Sequence, residues 1–161
     1  MMNRPLFLLI LLFSFAYPAS SQLRKGSLAL TTSIMESPNL GMAYAISAKM
    51  RLAASLGFSS SNDSVGRTSS LHVGTSLWRY ISVSEGLATF AGGSIGVDTK
   101  SMPNATSSSL LIAGLYGAEY RFSPRFSVHG LLQLQFVTGK DAGASISTIS
   151  TSAQTGVTWY F

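Results

Sequence analysis

From Ser27 onward the chain alternates apolar residues with small or polar ones at a period of two, in eight stretches separated by turn-forming residues. The alternation is cleanest from Arg51 to Ser59, where Leu52, Ala54, Leu56 and Phe58 interleave with Ala53, Ser55, Gly57 and Ser59. Successive side chains of a strand point to opposite faces, so this spacing predicts a strand with one apolar and one small or polar face. The same pattern predicts strands over Ser27–Met35, Leu40–Ile46, Ser69–Ile81, Leu87–Val97, Ser109–Phe122, Phe126–Thr138 and Ser150–Phe161. Most are about ten residues long, which suits a tilted span of a hydrocarbon layer.

The connections sort into two kinds. Glu36-Ser37-Pro38-Asn39, Ser47–Lys49, Ser82–Gly86 and Ser123-Pro124-Arg125 read as short turns, while Ser60–Thr68, Asp98–Ser107 and Gly139–Ser147 read as polar loops. This alternation predicts an even-numbered barrel with both termini on one side, the periplasmic side if the barrel crosses an outer membrane. Tyr44, Tyr120, Phe122, Phe126, Trp159 and Phe161 gather toward the short turns, and Phe58 and Phe136 toward the other end, as two unequal interfacial girdles. Arg79 alone falls on the apolar face; either it snorkels to the interface or a bulge shifts the phase beside it.

The first residues follow a different rule. Arg4 precedes a nearly continuous apolar run, Leu6–Ala16, and Ala19-Ser20-Ser21 supplies small residues for cleavage before Gln22. This predicts a secretory signal peptide over residues 1–21 and one barrel domain over 22–161. No Cys is present, so disulfides and thiolate metal sites are excluded. Charged residues make up only 11% of the chain, far below a soluble domain, yet no stretch after the leader matches the ~20 apolar residues of a spanning helix. The net charge of +5 comes from scattered Lys and Arg without a basic stripe, so no nucleic-acid partner is expected.

The last stretch carries a further signal. Val157, Trp159 and Phe161 share one face, and Phe161 ends the sequence. With the leader and the eight alternating stretches, this makes Gln22–Phe161 resemble the small outer-membrane β-barrel family of OmpA-like, OmpX-like and opacity-type domains. The resemblance implies an all-β, eight-stranded antiparallel up-and-down transmembrane β-barrel, monomeric, in the outer membrane of a Gram-negative cell. It implies contact with outer-membrane lipid and recognition by the barrel-assembly machinery through the strand ending in Phe161. It also implies a non-catalytic structural or surface-interaction role in a barrel too narrow for a general porin.

Candidate chemistry is sparse. If Phe122 faces Phe126 across the turn, Glu119 lies opposite His129 and Arg121 opposite Ser127, with Gln133 and Gln135 continuing that face and Gln154 near it. Inside a narrow barrel such groups must satisfy one another, so the pair is expected to be structural. As an acid–base pair it would be catalytic, and an outer-membrane lipid-modifying enzyme is the first alternative. The lipid A deacylase pattern sets a His two residues before a Ser. Here Ser127-Val128-His129 reverses that order, and Val73-Gly74 follows His72. The second alternative, a secreted lipocalin-like barrel, would turn the apolar face inward. The polar face holds Ser, Gly, Ala, His, Glu and Gln, a poor lining for an apolar pocket. Two His and scattered acids give no metal site. Gly92-Gly93-Ser94-Ile95-Gly96 lies within a strand and is followed by no helix, so it is no phosphate loop. No catalytic, cofactor or metal residue is expected.

Overall fold

The computed structural model describes residues 24–33, 39–63, 66–84, 86–103, 105–141 and 144–161; the leader over 1–21 and the turn residue Glu36 lie outside them. Eight strands follow in chain order: β1 (Leu28–Ser33), β2 (Asn39–Ser47), β3 (Met50–Asp63), β4 (Gly66–Ser84), β5 (Leu87–Met102), β6 (Ala105–Arg121), β7 (Phe126–Asp141) and β8 (Ala144–Tyr160). Each pairs antiparallel with its neighbours in sequence, and β8 closes on β1.

The register fixes the shape. A row of facing residues that starts at Thr32 passes Leu40, Leu56, Val73, Val97, Leu110 and Thr138 and reaches β8 at Ser147. Thr32 itself faces Val157, ten residues further along β8. Eight strands with this stagger tilt by roughly 40° from the barrel axis and enclose a bore that side chains nearly fill.

Alternation decides which face lines the bore. Leu40, Met42, Tyr44, Leu52, Leu56, Phe58, Ile95, Ile112, Tyr116, Leu132, Leu134 and Phe136 are exposed on the outside. They form an apolar belt around the wall, the surface of a barrel that crosses a membrane. Ala43, Ala53, Trp78, Phe90, Ala113, Leu115 and Leu131 are buried inside. Phe122, Phe126, Trp159 and Phe161 stack in sequence at the terminus end, with successive ring centroids 6.1, 5.6 and 5.4 Å apart. Arg79 points outward between the inward Trp78 and Tyr80, and the β4–β5 register shifts between Tyr80 and Ser82. Arg79 thus keeps its place on the outer face, and the register shift lies just beyond it.

The three expected polar loops are corrected. Most of Ser60–Thr68, Asp98–Ser107 and Gly139–Ser147 is strand, and facing pairs continue to Asp63–Gly66, Met102–Ala105 and Asp141–Ala144. Backbone pairing does not depend on side-chain polarity. The apolar alternation stops where the wall leaves the hydrocarbon, and the ladder continues past that level.

Candidate functional site

The inward side chains divide the bore into a floor and a chamber. The floor lies at the terminus end, where the starts of β3 and β7 meet the ends of β4, β6 and β8. Glu119, buried on β6, is its centre. Arg51 Nη1 donates to Glu119 Oε2 at 3.2 Å, and the Tyr80 hydroxyl donates to the same oxygen. Ser127 Oγ and the Tyr160 hydroxyl each donate to Oε1 at 2.5 Å. Tyr160 in turn accepts from Arg51 Nη1 at 2.8 Å. Four donors thus meet one carboxylate, which is about its full accepting capacity.

Aromatic rings complete the floor. The Arg51 guanidinium lies 3.9 Å from the centre of the Trp78 ring, and Trp78 stacks on Phe90 at 4.2 Å. The Arg121 guanidinium lies 4.3 Å from the centre of the Tyr160 ring. Arg51 is 1% exposed and Phe90 0%, so neither water nor an ion reaches them along the axis. A buried ion pair of this kind is costly to form and costlier to break, because removing one partner strands the other's charge.

The expected register holds: Glu119 faces His129 and Arg121 faces Ser127. The two side chains of the first pair part company, however. Glu119 turns to Arg51 and the tyrosines. His129 Nδ1 meets Thr158 Oγ1 at 3.4 Å, and its ring packs edge-on to Trp78 at 5.2 Å. Room for that ring comes from Gly156, where a Cβ would stand 2.5 Å from both His129 Cε1 and Nε2. No acid–base pair forms between Glu119 and His129. Gln133 bonds Ser152 at 2.7 Å, and Gln154 faces Leu131 and lines the space above the floor. Sequence reasoning missed Arg51. Its parity with Ala53 and Ser55 places it inside, but β3 and β6 are not neighbours, and only closure of the ring brings Arg51 to Glu119.

Above the floor lies a chamber of about 560 Å³ that reaches the rim at Lys100 and Lys140. Nine serines and three glutamines contribute to its lining, with Trp78, Leu115 and Leu131 at its base. His72 and Asp98, facing residues of β4 and β5, are joined there by a contact of 2.5 Å between Nδ1 and Oδ1. The outer wall carries a shallow depression lined by Gly114, Tyr116, Leu132, Leu134, Thr151 and Ala153, with no acid or histidine in it. No cluster of three or more metal-ligating side chains occurs among the described residues.

Comparison with known proteins gives the fold a context. No protein-family model matches the chain, and no curated protein matches it. Solved structures do match. The barrel of Neisserial surface protein A, NspA, superposes with a TM-score of 0.63 at 15% identity, covering 84% of this chain and 94% of that one. The N-terminal β-barrel domain of Pseudomonas aeruginosa OprF gives a TM-score of 0.59 at 16% identity, covering 85% and 98%. The fold is that of the small eight-stranded outer-membrane β-barrels.

Proposed function

We propose that the chain is a closed, non-catalytic barrel integral to a bacterial outer membrane, acting through its wall and rim rather than through a pore. The observation that carries this is the floor. Arg51, Glu119, Tyr80, Tyr160, Trp78 and Phe90 fill the bore at the terminus end, while the polar chamber above stays open toward the rim. Whatever enters the chamber from the rim leaves by the same way. The apolar belt supports lipid on the outside and speaks against a lipocalin-like barrel, which would turn those side chains inward.

The lipid-modifying alternative needs a catalytic group where acyl chains approach. Both histidines of the chain, His72 and His129, lie on the inner side of the wall. The proposal extends to assembly: the barrel-assembly machinery reads the last strand through Phe161, and the mature protein works as a monomer. Incubating the purified protein with outer-membrane lipid tests the non-catalytic reading. The lipid A mass spectrum is expected to stay unchanged, and loss of an acyl chain would establish the enzyme instead.

A further inference from the structure

The two ends of the barrel differ in charge. Toward the rim the strands mix acids with bases: Asp63, Asp98 and Asp141 with Arg67, Lys100 and Lys140. At the terminus end Arg24, Lys25, Lys49, Arg79 and Arg125 are all exposed. The acids there are Glu119, which is buried in the floor, and Glu85, which lies outside the described residues. The ion pairs among the described residues are Arg51–Glu119 and His72–Asp98, and none of the five exposed cations takes part in either.

Four of the five share one flank. The turn over 24–27 is fixed against the end of β2, where Gly26 N–H donates to Ala45 C=O at 2.8 Å. The next turn round the lip, over 47–50, carries Lys49. Its carbonyl accepts from Tyr80 N–H at 2.8 Å, and Met50 faces Arg79 across the β3–β4 ladder. Arg24, Lys25, Lys49 and Arg79 therefore lie along the lower ends of β1 to β4, an arc of three strand spacings of about 4.8 Å each. Like charges this close repel one another. Immediately above them the wall is apolar. Tyr44 faces Leu52 and Leu52 faces Leu77, and all three side chains are exposed on the outside. The Leu52–Leu77 pair stands two residues above the Met50–Arg79 pair, so the flank passes from apolar to cationic over about 7 Å of strand. That is the profile of a boundary between hydrocarbon and lipid headgroups. Short turns mark this end as the periplasmic one.

We propose that this flank binds an anionic phospholipid of the inner leaflet, with its phosphate between Lys49 and Arg79 and its acyl chains along Leu52 and Leu77. The Arg79 guanidinium offers paired donors to the phosphate oxygens, and Lys49 adds a mobile point charge. The aliphatic stem of Arg79 lies along the apolar wall while its head reaches the phosphate level. Arg24 and Lys25 add attraction for a headgroup of net negative charge. A zwitterionic headgroup brings a cation of its own and gains less from them. An acidic protein segment would match the cations but not the apolar wall directly above them, which acyl chains cover. The proposal rests on the barrel being integral to the membrane.

Native mass spectrometry of the protein released from detergent micelles tests it. Phosphatidylglycerol and phosphatidylethanolamine with the same acyl chains are supplied in equal amounts. The parent is expected to retain phosphatidylglycerol over phosphatidylethanolamine by about fivefold or more. The double variant Lys49→Gln/Arg79→Gln is expected to lose that preference, and Lys100→Gln/Lys140→Gln at the rim is expected to keep it. A hexaglutamate peptide is expected to leave the bound lipid in place. Equal retention of the two lipids by the parent would overturn the proposal, as would an unchanged preference in the Lys49/Arg79 variant. Displacement of the lipid by hexaglutamate would overturn it in favour of an acidic protein partner. Retention of neither lipid would remove the membrane reading itself, and the proposal with it. The comparison of lipids on the parent stands even if a variant does not fold.

Discussion

Glu119 carries four donors on its two oxygens, and one of them is the charge of Arg51. Glu119→Ala leaves that guanidinium buried without a counter-charge, and the expected loss of stability is about 3–5 kcal/mol. Urea unfolding in detergent micelles measures it. Lys100→Ala at the rim serves as the reference and is expected to stay within about 0.5 kcal/mol of the parent. A Glu119→Ala protein as stable as the Lys100→Ala protein would show that the floor is held by packing alone. At Gly156 the constraint is steric. Gly156→Val drives a side chain into the His129 ring, with an expected cost of about 1–3 kcal/mol by the same measurement. Parity and one short turn made the Glu119–His129 facing legible in the sequence. The true partners of Glu119 were not, because Arg51, Tyr80 and Tyr160 come from strands that meet β6 only across the bore.

Among the elements, β8 is the one the sequence marks most clearly, and it does two jobs. Its lower half closes the barrel on β1 from Ala29–Tyr160 to Ser33–Gly156, and Phe161 N–H adds a bond of 2.9 Å to Leu28. Phe161 itself is 67% exposed, so burial of its ring contributes little to the fold. Deleting Phe161 is therefore expected to slow insertion in cells and leave protease-sensitive periplasmic chains, while refolding into detergent changes little. The opposite pattern, normal assembly in cells with impaired detergent refolding, would make Phe161 a packing residue only. All eight strands were legible from period-two alternation. Their upper ends were not: Ser60–Asn62 and Ser145–Thr148 lie beyond the outward Phe58 and Ile149 and carry no lipid-facing requirement, so the apolar pattern fades while the hydrogen-bond ladder continues.

For the whole molecule, the strand count and the ten-residue stagger together set a bore that side chains can close. The count was legible in the sequence. The stagger was not, since it depends on where β8 meets β1. The central claim is that the floor seals the barrel, and single-channel recording in a planar bilayer tests it most directly. The purified protein is expected to give no large, steady conductance and no passage of hydrated sugars. A stable open level that passes such solutes would contradict the sealed floor.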